Sequence, residues 1–277
     1  MAWAELTDCR CYYELEGQGD PLLLIPGLGR TCRMWDPIAG AMAEHFTLLK
    51  IDNRGLGQSK SKHNPRTLRD FSADLIELLE HLQIDRAHIL GISLGGVIAQ
   101  RFVADHPNRV RSLVLISTAY RFGPYLREMA KIVGETMRRF PPTLFAQTLA
   151  LLGSSPAFLD TVLAQNKPPD VERVKRSALV RQLRCLATAD GPRDDFQIKA
   201  PTLVIAGEFD ALIPSYYARQ MAQAIKHSRF LLIPDAGHNP LRECPDRVLP
   251  LIVSFLRDGR MQTLDPPPRT GPDREAA

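Results

Sequence analysis

The stretch that decides the fold is His88-Ile89-Leu90-Gly91-Ile92-Ser93-Leu94-Gly95-Gly96, followed at once by Val97-Ile98-Ala99-Gln100-Arg101-Phe102-Val103-Ala104. Its first half is an apolar run of strand length, and its second half continues as a helix. Between them stands G-x-S-x-G, the pattern of a serine held on a sharp strand-to-helix turn. Flanking glycines let neighbouring backbone approach where a Cβ would collide. The Ser93 hydroxyl then projects above the strand end at a helix N-terminus, where negative charge is favoured. The competing reading is a glycine-rich structural turn, and the strand-then-helix context favours the exposed nucleophile.

Strands and helices alternate outward from this point. Residues 10–15 alternate apolar and polar, whereas 22–26 are continuously apolar, as in a parallel strand covered on both faces. Further strands are predicted at 46–51, 87–92 and 110–117, with helices at 68–82 and from 94 to about 105. The alternation indicates a mostly parallel sheet with helices on both faces, an α/β class. From 120 to about 195 it stops. Helical patches at 125–139, 143–152, 157–163 and 171–187 are separated by Pro141-Pro142, Pro156 and Pro168-Pro169. The strand–helix order resumes with strand 202–206, helix 215–225, strand 229–233 and a helix from about 244 to 256. The economical organisation is one core, residues 1–119 and 196–259, interrupted by a helical insertion, 120–195, over one end of the sheet. The polar, Pro-rich residues 260–277 are expected to be disordered.

A chain of 277 residues with 44% hydrophobic and 24% charged residues is long enough to bury a core and excludes wholesale disorder, collagen-like repeats and coiled coil. No apolar run approaches the roughly 20 residues of a membrane helix. MAWAELTDCR has no basic patch before an apolar core, so no secretory signal is read and a cytoplasmic location is expected. Cys9 and Cys11 share one face of a strand, and Cys32, Cys185 and Cys244 are scattered without a C-x-x-C pair. This argues against a disulfide framework or a metal site and suits free thiols in a reducing compartment. A net charge of +4 is too small to imply nucleic acid. Residues 121–199 hold 13 basic and 8 acidic side chains; a solvated arginine-rich surface explains this more simply than an anionic substrate does. Asp52-Asn53-Arg54-Gly55-Leu56-Gly57-Gln58-Ser59 lacks a GK[ST] ending and G-x-G-x-x-G. It reads as a turn stabilised by Asp52 and Arg54, not a nucleotide loop.

A serine nucleophile needs a base. His81, His106 and His227 fall in or at the ends of helices, His88 begins a strand, and His45 and His63 sit in loops before Ser93. His238, in Asp235-Ala236-Gly237-His238-Asn239-Pro240, follows the last strand and so lies over the carboxyl edge where Ser93 is expected. The base in turn needs an acid. Asp210 follows the strand at 202–206; Glu208 is the nearest competitor, Asp235 is less able to reach around, and Ser117-Thr118-Ala119 offers no carboxylate after the preceding strand. The order Ser93, Asp210, His238 suits a sheet of this kind. An oxyanion would be held by main-chain N–H groups, those of Leu28 in Pro26-Gly27-Leu28-Gly29 and of Leu94.

Together these residues resemble the α/β-hydrolase superfamily over nearly the whole chain. The carriers are the D-x-R-G-x-G-x-S turn at 52–59, GISLGG at 91–96, GEFD at 207–210, and AGHNP at 236–240 followed by Glu243 and Pro245. Residues 28–38 and 91–119 are most similar to 3-oxoadipate enol-lactonase and related esterases. Pro26 stands where such esterases often have histidine, and Gly27 where enol-lactonases often carry a small polar residue. The resemblance implies a sheet of about eight strands, a cap formed by 120–195, and cofactor-independent hydrolysis of a small-molecule carboxylic ester or lactone. Phe122, Tyr125 and Met129 are then candidates to line the pocket, Arg121 or Arg127 to hold an anionic group, and Trp35 to touch substrate or, more simply, to pack. The same triad would also serve a carbon–carbon bond hydrolase of ring-fission products or a perhydrolase, and the fold could serve as a non-turnover receptor.

Overall fold

The computed structural model describes residues 1–165, 176–187 and 198–258. Within them, one sheet contains β1 (Ala2–Glu5), β2 (Cys9–Glu16), β3 (Asp20–Ile25), β4 (Phe46–Ile51), β5 (Lys60–Ser61), β6 (Ala87–Ile92), β7 (Val110–Ile116), β8 (Thr202–Gly207) and β9 (Ser228–Ile233). The strand order is β1-β2-β4-β3-β6-β7-β8-β9, with β5 beside β2. β1 and β2 pair antiparallel, and every neighbour pair from β4–β3 through β8–β9 is parallel.

The helices are α1 (Asp36–Ala43), α2 (Leu68–His81), α3 (Leu94–Asp105), α4 (Pro124–Arg139), α5 (Pro142–Gly153), α6 (Pro156–Ala164), α7 (Arg176–Ala187), α8 (Ser215–Ala224), α9 (Pro240–Glu243) and α10 (Pro245–Asp258). Leu23 and Ile25 of β3 pack with Phe71 of α2, Phe102 of α3 and Met221 of α8 in one cluster. Leu22 and Leu24 point the other way, into a cluster with Met42 of α1 and Phe255 of α10. This two-sided burial is why residues 22–25 show no polar alternation.

Among the described residues, α4 to α7 stand between β7 and β8. Residues 166–175 and 188–195 of that expected insertion, and the expected tail 260–277, lie outside the described residues. Four of these elements escape the sequence reading: β1, β5, α1 and α9. β1 is a four-residue edge strand, and α1 has only eight residues, with three buried; neither is long enough for its period to show.

The 52–59 turn is a brace. Asp52 accepts from the amides of Cys32 and Gln58, both at 2.8 Å, and Asn53 Nδ2 donates to Pro26 O at 3.2 Å. The loop after β3 is thereby held at both ends. Arg54 fixes the turn to α2 through two bonds of 2.6 Å to Asp74, with both residues buried. Sequence reading places Arg54 in the turn but does not identify its partner 20 positions on. Asp74→Ala leaves a buried guanidinium without its anion and is expected to cost about 3–5 kcal/mol in urea unfolding. Replacing both partners, Arg54→Met with Asp74→Leu, is expected to cost less than that single change.

Candidate active site

Because β3, β6, β8 and β9 run parallel, the loops after them emerge at one edge of the sheet, where open α/β sheets place ligands. Ser93 links β6 to α3 at φ 56° and ψ −121°. Gly91 and Gly95 make this turn possible: a Cβ on Gly95 would lie 2.0 Å from Ile25 O, and one on Gly91 2.5 Å from Gly95 O. Ser93 N donates to Ile116 O at 2.9 Å, and Thr118 Oγ1 donates to Ser93 O at 2.9 Å. Thr118 belongs to the segment that offers no carboxylate; its role is to brace the turn.

Asp210 Oδ2 lies 2.8 Å from His238 Nδ1. Its other oxygen accepts from the amides of Leu212 and Ile213 at 3.0 and 2.9 Å, and its side chain is wholly buried. Glu208, the competing acid, accepts instead from Asp235 N at 3.1 Å. Burial works against a charged His238 ring, but the Asp210 charge and hydrogen bond, with the Glu243 charge, outweigh it and raise the pKa above the ordinary imidazole value. With the carboxylate on Nδ1–H, the neutral ring presents Nε2 as its free acceptor.

A cavity of about 360 Å³ is lined by Ser93, His238, Gly27 and Leu28 together with side chains from α4, α5 and α7. Gly27 packs against the nucleophile turn, since a Cβ there would stand 3.4 Å from Ser93 Cβ. Gly29, at φ 68°, completes a turn in which Arg30 N donates to Gly27 O at 3.2 Å. The Leu28 and Leu94 amides have no acceptor among the described residues.

Phe122 and Met129 line the cavity. Arg121 and Tyr125 do not, which corrects the reading of them as substrate contacts; nor does Trp35, which packs, the simpler of its two readings. Trp35 is 1% exposed in the core beside α1. Arg121 lies over the Tyr120 ring, and Tyr125 stacks on Tyr217 with centroids 6.0 Å apart. For Tyr125 the reason is helical phase. Leu126, Met129, Ala130 and Val133 share the inner stripe of α4, and Tyr125 falls off it. Arg127 is likewise elsewhere, donating to Phe122 O at 2.8 Å.

Several further contacts at the site involve residues to which the sequence reading assigns no role. Gln182 of α7, 1% exposed, accepts from Gly29 N at 3.0 Å across 153 positions of sequence. Gly153 O, at the end of α5, accepts from His238 N at 2.7 Å, and Leu152 O from Ala211 N at 3.1 Å. Glu243 accepts from the amides of Gly237 and Ser155 at 2.9 and 3.0 Å. The joint between α5 and α6 is thus bonded to both the Asp210 and the His238 loops. Among the described residues no cluster of three or more His, Cys, Asp or Glu is placed to hold a metal ion, and no helix is long and apolar enough to cross a membrane.

A family model of the alpha/beta hydrolase fold matches residues 20–243. The chain belongs to the α/β-hydrolase family. It is 25% identical over 259 residues to RutD of Azorhizobium caulinodans, which bears the name of a carbamate hydrolase; the match covers 92% of this chain and 98% of that one. Among solved structures, it is similar to an enol-lactonase from Burkholderia xenovorans LB400, with a TM-score of 0.82 and 27% identity over 92% of this chain and 99% of that chain. A thermophilic esterase from Thermogutta terrifontis has the same TM-score of 0.82 with 26% identity, over 93% of this chain and 98% of the esterase. The α/β-hydrolase superfamily that the sequence motifs resemble is therefore the right one, and the three similar proteins named above bear the names of hydrolases.

The Asp210 contact sets a measurable property of His238. In NMR titration the His238 ring is expected to titrate above the ordinary imidazole value of about 6.5. Asp210→Asn keeps the burial but removes the charge, so the titration is expected to move down. Because the folded-state pKa is the higher one, the stabilisation this pair gives is full below the unfolded pKa. It is lost as pH rises through the folded value.

Proposed function

We propose that the protein is a cofactor-independent serine hydrolase of carboxylic esters or lactones, with Ser93 as nucleophile, His238 as base and Asp210 as the acid that orients it. The observation that carries the reading is the 2.8 Å contact of a wholly buried Asp210 with His238 Nδ1. It leaves Nε2 as the acceptor in a cavity that Ser93 also lines.

The chemistry follows from these roles. Ser93 Oγ attacks the carbonyl carbon while His238 Nε2 takes the hydroxyl proton. The carbonyl oxygen becomes an oxyanion that accepts from the Leu28 and Leu94 amides, which no group among the described residues occupies. Collapse expels the alkoxide, which leaves with the proton from His238. Water then attacks the acyl-enzyme, His238 takes its proton, and the released serine oxygen recovers it. In a lactone the alkoxide stays tethered to the acyl group, so one hydroxy acid is formed. The esterase and enol-lactonase among the similar structures favour these two substrate types. The name borne by RutD makes a carbamate the first comparison substrate.

Ser93→Ala is expected to lower kcat on an activated ester at least about a thousandfold and to abolish labelling by a fluorophosphonate. Retention of more than a few per cent of the wild-type rate removes Ser93 as nucleophile. In the wild type, kcat/KM is expected to fall as pH drops through a single ionisation above the ordinary imidazole value, because protonated His238 cannot act as base. An acid limb at or below that value contradicts the role given to Asp210.

A further inference from the structure

We infer, building on the ester or lactone reading above, that the substrate carries an apolar chain of about eight carbons, seated in the cavity that α4, α5 and α7 border. Leu126, Ala130, Val133 and Met137 of α4 and Leu179 and Leu183 of α7 face the cavity. The α4 stripe from residue 126 to 137 runs about 16 Å at 1.5 Å per residue. That helix also carries Arg127, Glu128, Lys131, Glu135, Arg138 and Arg139, yet none of them lines the cavity. The apolar side of this amphipathic helix packs in part against Leu183 of α7 and otherwise lines the cavity, so the space it borders is one that a chain without charge can fill.

Among the described residues, the Arg and Glu side chains at the cavity wall are Arg30, Arg176, Arg242 and Glu243, and each has a partner. Arg176 donates to Phe140 O at 2.8 Å, Arg242 lies 5.4 Å over the Phe158 ring, and Glu243 accepts two amides. Arg121 and Arg127, which would have favoured an anionic group, face elsewhere. The size of the space limits the chain. At about 30 Å³ per non-hydrogen atom, the packing of a small liquid, the cavity of about 360 Å³ takes roughly a dozen atoms. Removing the scissile carbonyl carbon and its two oxygens leaves about eight or nine carbons.

The test uses the full chain and two series of esters. In one, p-nitrophenyl esters run from acetyl to palmitoyl; in the other, acetates carry alcohols from methyl to decyl. On one arm kcat/KM is expected to rise about fourfold per methylene to a maximum near eight carbons and to fall beyond it. The arm with the maximum tells whether the acyl or the alcohol group occupies the cavity. A carboxylate added to the end of the best chain is expected to lower kcat/KM at least about tenfold. Ala130→Phe fills the space and is expected to move the maximum about two or three carbons shorter. Val133→Ala opens it and is expected to move the maximum longer, which keeps the test sound if the larger residue is not accommodated.

A fall from the two-carbon member onward on both arms overturns the inference, as does a preference for the chain ending in carboxylate. If those profiles come with Ser93-dependent hydrolysis, only the chain assignment fails. If no ester is hydrolysed, the serine-hydrolase reading fails and takes this one with it.

Discussion

Ser93 is held at φ 56° and ψ −121°, a conformation that costs on the order of 1–3 kcal/mol for a residue with a Cβ. The rest of the site depends on the sheet keeping it there. Strand β6 brings the chain up between β3 and β7, α3 carries it back, and the turn between them has no room for side chains at positions 91 and 95. Bonds to Ile116 and from Thr118 close the turn from the β7 side. A residue released from this geometry would relax into the helix and withdraw its hydroxyl from the edge of the sheet. It would also move the Leu94 amide, which is fixed by the same turn.

Around that turn the fold arranges three supports that differ in chemical kind. The loop after β3 is braced from below by Asp52 and Asn53, and that brace is anchored to α2 by the Arg54–Asp74 pair. The loops after β8 and β9 are bonded to each other, with Phe209 N donating to Ala236 O at 2.8 Å. From above, Gln182 grips Gly29 while the end of α5 accepts from His238 N and Ala211 N. The helices inserted between β7 and β8 therefore do two things. Their backbone and one buried amide hold the loops of the site, and their apolar stripes form the walls above it. Polar groups gather at the edge of the sheet where bond making would occur, and apolar surface dominates the rest of the cavity.

Much of the core was legible because its physics is local. The runs at 46–51 and 87–92 and the helix from 94 to 105 coincide with β4, β6 and α3, since burial on both faces, a turn that demands glycine and a helical period all write themselves into neighbouring positions. The pairing of Asp210 with His238 was reachable by topology: parallel strands deliver their following loops to one edge, so a carboxylate and an imidazole after successive strands converge. Glu208, only two positions away, could be set aside only when its carboxylate was seen on Asp235 N. The wall of the cavity was harder. Tyr125 and Leu126 are adjacent in sequence and stand on different sides of α4, and nothing local says which side meets the space.

By itself, the sequence determined the order of elements, the strained serine between strand and helix, and the set of polar residues that parallel strands bring to one edge. These follow from steric and periodic constraints acting over a few residues. Only the tertiary structure decided that Arg54 answers Asp74, that Gln182 reaches Gly29, and that Trp35 belongs to the core and not to the cavity. Each of those depends on how whole helices rotate and dock against a sheet. That choice is made by the summed burial of many side chains, and no short stretch of the chain records it.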